Sequence, residues 1–244
     1  MTRFLSTFLI ALFMMAPSAQ AQDFTDAQRE EINKMIAEYL LNNGEQVLES
    51  VNRYQGQLEE EQREESSVKA KEFLDTLDEK NNLPMAGNPD GDITIVEFFD
   101  YNCGYCRKAL DEIQTVLKDD DEVKVIFMDM PILGPSSIES AKWSLAAAKQ
   151  GKYFAYHQEL LSHNGQKNDK VYKDLAKKVG LNVKQLEKDK AADEINDMVD
   201  ANLAASRDLG IRGTPGFIVA GSVYPGYMPA DQIKEIIAEA RKAE

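Results

Sequence analysis

Ile93-Thr94-Ile95-Val96-Glu97-Phe98-Phe99-Asp100-Tyr101-Asn102-Cys103-Gly104-Tyr105-Cys106 is the stretch on which the reading of this chain turns. Its first seven residues form an apolar run broken only by Thr94 and Glu97, suited to a strand covered on both faces. Its last four hold the only two cysteines of the 244-residue sequence. A pair that close cannot staple a fold, because so short a loop removes little unfolded-state entropy and strains the bridge. It can switch between dithiol and disulfide. Where a strand gives way to a helix, such a pair has a lowered thiol pKa and a redox role.

Downstream, Arg107 to Leu117 puts Ala109, Leu110, Ile113, Val116 and Leu117 on one helical face. Val123 to Met130 reads as a second buried strand ended by Pro131. Ser136 to Arg207 is helical nearly throughout. Gly216 to Ala220 makes a third strand, Gly221-Ser222 a tight turn, Val223-Tyr224 a short fourth strand, and Ala230 to Lys242 a closing helix. This order describes an α/β sheet domain over 93–244 with a helical insertion at about 136–207. Upstream, Asn81 to Asp92 reads as a linker through Pro84, Gly87, Pro89 and Gly91.

Residues 22–80 are rich in Glu, Gln, Asn and Lys and carry helical stripes: Ile32, Met35, Ile36, Tyr39 and Leu40, then Val47, Leu48, Val51, Tyr54 and Leu58. Asn42-Asn43-Gly44 is a helix stop, and Ser66-Ser67 precedes a third piece with Val68, Phe73, Leu74 and Leu77. The stripes hold too few apolar residues for a core of their own. They either dock on the following domain or pair with copies of themselves; a complete-looking domain beyond a polar stretch favours self-association. The short heptad pattern does not fix the number of strands.

At the start, Arg3, the apolar Phe4 to Met15 and Ala19-Gln20-Ala21 form a cleavable export signal over 1–21, with Gln22 as the mature N-terminus. The apolar stretch is too short to span a bilayer, and no later one reaches about eighteen residues. The expected product is exported and soluble, in a compartment that permits disulfides, which is the periplasm if the source is Gram-negative. The formal charge is -14, and loss of the one Arg in residues 1–21, which hold no acid, makes it -15. Such acidity argues against nucleic acid or anionic lipid as a partner.

The run Glu97 to Cys106, with Gly213-Thr214-Pro215-Gly216-Phe217 far downstream, resembles the DsbA family of thioredoxin-fold thiol oxidoreductases. Met130-Pro131-Ile132-Leu133-Gly134-Pro135-Ser136-Ser137 is similar to its ScsC-like and Com1-like branch. The resemblance covers roughly residues 84–243. Residues 22–80 resemble, more weakly, the helical region that makes some ScsC-like proteins trimers, which implies a homo-oligomer, a trimer by preference. Neither cofactor nor metal is expected. A zinc site at the cysteines needs two further ligands, and the only histidines, His157 and His163, lie six apart in the helical block.

In disulfide exchange a thiolate attacks one sulfur and the mixed disulfide is resolved by a second thiol. Cys103, at the first helical turn, is the expected attacker, and Cys106, one turn deeper, the resolver. Gly104 and Tyr105 tune reactivity, and this dipeptide resembles that of DsbC-type isomerases rather than the proline and histidine of strong oxidants. Pro215 is the candidate cis-proline facing the dithiol. Thr214 again resembles the isomerases. Glu97 either relays a proton to the resolving thiol, as the matching glutamate of DsbA-like proteins implies, or ends the strand in solvent. Lys124 is either its ion-pair partner or a solvated edge lysine. Tyr153, Phe154, Tyr156 and Met198 are either core or a client-binding surface.

The expected function is an exported thiol:disulfide oxidoreductase, an isomerase in preference to a DsbA-type oxidase. Its clients would be misfolded or misoxidised exported proteins, and its electron source a membrane reductase of the DsbD or ScsB kind. A different class of function, Cu(I) binding and copper tolerance through soft thiolates, ranks below it because the chain lacks a Met-rich or His-rich tract.

Overall fold

The structure, a computed structural model, describes residues 23–78 and 84–243. The expected export signal and the start of the expected linker lie outside the described residues. The chain divides into two compact units, one up to Gly56 and one from Gln57 on.

In the first unit, α1 (Asp26–Asn42) opens with a reciprocal capping box, Thr25 accepting from the Gln28 N–H while the Gln28 side chain accepts from the Thr25 N–H. Asn43 closes it by donating from its side-chain amide to the Tyr39 carbonyl at 2.8 Å. α2 (Gly44–Asp78) starts at the next residue, so the expected break falls where Asn42-Asn43-Gly44 stands. No residue of 23–56 is buried, and Met35, Ile36, Tyr39, Leu40, Leu48 and Val51 are exposed.

α2 does not break at Ser66-Ser67. It runs 35 residues unbroken, because serine inside a helix costs only a few tenths of a kcal/mol, about half the glycine penalty. Within the second unit its last two turns bury Ala70 and Leu77, with Phe73 and Leu74 partly covered, in one cluster with Val96, Phe98, Ile126, Met128 and Ile218. The third apolar piece is therefore part of the following domain, and the expected boundary at residue 80 moves N-terminal to it. The physical reason is the sheet, whose even-numbered residues form an apolar row that this helix end covers.

That sheet has the order β1-β3-β2-β4-β5. β1 (Met85–Gly87) lies inside the segment expected to be linker, because it pairs antiparallel with the edge of the sheet, Met85 opposite Ile126. Gly87, at φ 85°, is required there, since a Cβ would stand 2.3 Å from the Val123 carbonyl oxygen. β2 (Ile93–Phe99) passes through α3 (Gly104–Asp119) to the parallel β3 (Val123–Asp129), with Glu97 opposite Phe127. Then come α4 (Pro135–Ala148), α5 (Tyr153–Ser162), α6 (Asp169–Lys178), α7 (Val183–Lys190) and α8 (Asp193–Asp208), which form the expected helical insertion. The chain returns as β4 (Gly216–Val219), antiparallel to β2, and β5 (Ser222–Pro225), and ends in α9 (Ala230–Ala243). The hairpin turn is Ala220-Gly221 rather than Gly221-Ser222. Both have positive φ, 48° and 75°, which the right-handed strand twist asks of a two-residue loop.

Odd-numbered residues of β2 face the main core, where Ile95 and Phe99 meet α3, α9 and the insertion; even-numbered ones face α2 and the end of α8. Tyr153 and Tyr156 are core, whereas Phe154 and Met198 are half-buried against it. Leu77→Ala, which empties a fully buried site on the α2-covered face, is expected to cost about 2–5 kcal/mol. Urea unfolding of the full chain checks this, with the exposed Val68→Ala, which should shift stability by less than about 1 kcal/mol, as a control.

Candidate active site

Cys103 is the N-cap of α3. Its backbone is extended (φ -79°, ψ 121°), and its sulfur accepts from the Cys106 N–H at 3.3 Å, the place a serine or aspartate oxygen takes at most helix starts. On the other side the sulfur lies 3.3 Å from the Thr214 carbonyl, to which the thiol form donates. The Thr214–Pro215 peptide is cis, and the Cys103–Thr214 contact joins two segments far apart in the chain. Both cysteines are free thiols. Gly104 is open to solvent, with nothing within 4 Å of where a Cβ would stand, and Tyr105 is 61% exposed beside Tyr227 and Lys108.

The two thiols are electrostatically unlike. The Cys103 pKa is lowered to about 6, chiefly by a hydrogen bond from the Cys106 thiol, with N–H groups of the first turn adding to it against a cost of burial. Burial pushes the Cys106 thiol far up, and the nearby Cys103 and Glu97 push it further. One sulfur is a thiolate at neutral pH and the other holds its proton.

Glu97 lies beneath the dithiol on the main-core face and does not reach solvent. It is wholly buried, and among the described residues neither carboxylate oxygen has a hydrogen-bond partner. Burial first, and the Cys103 charge second, raise its pKa to about 8. Lys124 is not its ion-pair partner, since it stands opposite Thr94 on the other face of the sheet.

Other groups at the site carry no motif. The buried Asp100 receives four hydrogen bonds: Asn102 N–H at 2.7 Å and the Ser137 hydroxyl at 2.7 Å on one oxygen, Ile132 N–H at 2.8 Å and Leu133 N–H at 2.9 Å on the other. The Asn102 amide donates to Ser136 and Ser137 at 2.7 and 2.9 Å. These bonds fix the loop after β3 against the residue before Cys103 and leave Ile132 and Leu133 exposed beside it. Behind the loop, Tyr101 bonds Ser144 and the Nδ1 of His157, and Tyr153 donates to the buried Asp129 at 3.3 Å. His157 is sealed among Phe99, Phe127 and Tyr153, and burial lowers its pKa to about 3, whereas His163 caps the end of α5. Among the described residues no three His, Cys, Asp or Glu side chains group as a metal site. An acid closing an apolar strand was the only sequence signal for Asp100 and Asp129.

A thioredoxin family model matches residues 78–239. The chain belongs to the thioredoxin family. Its branch is that of the DsbA-like thiol:disulfide oxidoreductases, as three solved structures indicate. A thioredoxin-like oxidoreductase from Silicibacter pomeroyi is 40% identical, with 70% of this chain and 98% of that one covered and a TM-score of 0.66. The thiol-disulfide exchange protein alpha-DsbA2 of Wolbachia pipientis is 30% identical over 73% and 96%, at 0.65. A linker-deletion mutant of ScsC from Proteus mirabilis is 25% identical over 92% and 100%, at 0.69. Curated relatives are Na(+)/H(+) antiporters such as NhaA 1 of Mycobacterium sp. (strain KMS), 32% identical over 156 residues and 58% of this chain. The chain spans about a quarter of their length, 24% for that relative, and none of its described helices is long and apolar enough to cross a membrane.

Two pH dependences follow. Thiolate absorbance near 240 nm should titrate with a midpoint near pH 6 and vanish in Cys103→Ser, with no second step from Cys106 below pH 10. Because the folded pKa lies below the unfolded one, this group stabilises the reduced form at alkaline pH, and the gain is lost as pH falls through about 6. Glu97 has the opposite sign: its folded pKa is raised from 4.5 to about 8, so its contribution to stability declines as pH rises through that window. Urea midpoints should show the advantage of Glu97→Gln over the parent chain growing from near nothing at pH 4.5 to a plateau by pH 8; a constant difference would contradict a buried neutral carboxyl.

Proposed function

We propose that this oxidoreductase acts as a disulfide isomerase or reductase on misfolded or misoxidised exported proteins in the periplasm. Cys103 attacks a client disulfide and forms a mixed disulfide, releasing one client thiolate. Either a different client thiolate, one not part of the original disulfide, or Cys106 then displaces Cys103. The first outcome reshuffles the client; the second reduces it and leaves the Cys103–Cys106 disulfide, which a membrane reductase of the DsbD or ScsB kind would reduce again. Thr214 and Pro215 present a backbone edge to the client next to the attacked sulfur. Gly104 and Tyr105 set the redox poise, and Glu97 takes the proton that Cys106 must lose. Exposed Tyr105, Ile132, Leu133 and Ile138 beside the dithiol give the apolar contact an unfolded client needs.

The observation that carries isomerase over oxidase is the exposed apolar stripe of α1 and of the first turns of α2, which is uncovered in the single chain. A second and third copy are the occupants with a matching stripe, and a homo-oligomer, preferably a trimer, holds several dithiols around one client at high effective concentration. The test keeps the whole chain, since a truncation at Pro84 would strip the cover formed by Ala70 to Leu77 from the sheet. Leu40→Glu with Leu48→Glu should yield monomers by sedimentation, and refolding of a scrambled multi-disulfide substrate should fall at least several-fold while thiol oxidation persists. If the unaltered chain sediments as a monomer, or refolds such a substrate no better than the double variant, the oligomeric-isomerase reading fails.

A further inference from the structure

In the helical insertion lies a cavity of about 300 Å³ lined by Ser136, Trp143, Lys167, Asn168 and Tyr172, with Glu139 and Asp169 at its walls. Lys167 is only 6% exposed, yet its ammonium makes a single long bond, 3.4 Å to the His163 carbonyl, and among the described residues no carboxylate lies within ion-pair range of it. The ammonium is half withdrawn from water, which lowers its pKa although the Asp100 charge opposes this, and an anion in direct contact would offset that cost. The two wall acids already have cationic partners, Glu139 in Lys190 at 3.0 Å and Asp169 in Lys173 at 2.8 Å, which it shares with Glu187 at 2.7 Å. Asp100, the nearest remaining acid, spends its oxygens on four hydrogen bonds, and Arg107, whose Nε donates to the Leu161 carbonyl, adds positive charge on the same side.

Two helix starts open here as well. α4 begins with Pro135 after Gly134, which offers no side-chain cap, and α6 begins at Asn168, whose side chain caps only the Val171 N–H. Pro135 has no N–H and the Ser137 N–H bonds the Gly134 carbonyl, so the donors left at the two starts are Ser136 on α4 and Asp169 and Lys170 on α6, where the dipoles favour an anion. Trp143, stacked on Tyr172 at 5.4 Å, backs the cavity from beneath with rigid apolar bulk. The cavity also shares a wall with the reacting centre, because Ser136 accepts from Asn102, the residue before Cys103.

We infer that this cavity is a carboxylate subsite, which holds an acidic group carried by the disulfide substrate a few atoms from the sulfur that Cys103 attacks. The inference rests on the exchange chemistry proposed above and adds to it a substrate preference. The reaction with a small disulfide balances as follows: the Cys103 thiolate attacks one sulfur and expels one thiolate, then Cys106, losing its proton, expels Cys103's new partner as the second. The dithiol is oxidised and the small disulfide becomes two thiols.

The experiment compares oxidation of the reduced full chain by oxidised glutathione and by its ethyl ester, whose glycine carboxylates are blocked. A second pair, disulfide-bonded peptides with Glu or Gln next to the cysteine, tests a protein client. With a formal charge of -14, the chain by its field alone should favour the Gln peptide and the ester, which is net neutral because each γ-glutamyl carboxylate is matched by its own ammonium. A carboxylate subsite should reverse that order in at least one pair, by about tenfold if a charge-assisted bond is made. Preference in the first pair alone points to a small acidic thiol, and in the second alone to acidic client segments. Lys167→Gln should abolish the reversal, and so should Asn168→Asp, which keeps a good helix cap while adding a negative charge to the cavity. Reaction with the blocked disulfides reports the exchange chemistry separately, so its absence would sink the functional reading instead. Acidic probes that react no faster than blocked ones, or a preference that both variants retain, would overturn the carboxylate subsite.

Discussion

One sulfur at the start of one helix organises this molecule. By occupying the N-cap of α3, Cys103 takes hydrogen bonds that a helix start has to spend, and in return its negative charge is held where water reaches it from only one side. That bargain needs β2 to deliver the chain at the right height, and it needs the cis Thr214–Pro215 segment to close the site across the sheet. β2 is buried on both faces, which demands helices on each side of the sheet. One set is α3, α9 and the insertion; the other is the end of α8 and the last turns of α2.

Much of this is legible in the sequence because it is local. The run Ile93 to Phe99, apolar but for Thr94 and Glu97, suits a doubly covered strand, Cys103-Gly104-Tyr105-Cys106 starts a helix at its end, and the spacing of Ala109, Leu110, Ile113 and Val116 gives that helix its buried face. What escapes the sequence is what depends on partners far along the chain. β1 is three residues among prolines and glycines and becomes a strand only because β3 offers an edge. The stripe Ala70, Phe73, Leu74 and Leu77 looks like its neighbours upstream, and only the apolar row of Val96, Phe98, Ile126 and Ile218 decides that this part docks on the sheet. Asp100 is one acid among many until the loop 131–137 folds back over it.

The Asp100 bonds also explain how a rigid reacting centre can sit beside the surfaces proposed above to meet variable clients. The loop carrying Ile132 and Leu133 is fixed through its backbone N–H groups, not its side chains, which stay free to meet whatever apolar segment arrives. Rigidity is supplied by buried charge-assisted bonds, and adaptability by the exposed side chains they hold in place.

The buried carboxyl of Glu97 makes sense only together with the charge above it. While Cys103 is a thiolate, Glu97 keeps its proton, because burial already disfavours its ionised form and the sulfur's charge disfavours it further. Once Cys103 enters a mixed disulfide that charge is gone. The Glu97 pKa then falls, although burial, the larger cause, still holds it above the ordinary carboxylate value, and its ionised form becomes easier to reach than before. At the same step Cys106 loses its neighbour's charge and must shed its proton to attack. In the proposed exchange the site therefore holds one negative charge at a time, first on Cys103, next on Glu97, then on Cys106. The base for the second step is created by the first, and a carboxylate that water could solvate would be ionised throughout and lose that coupling.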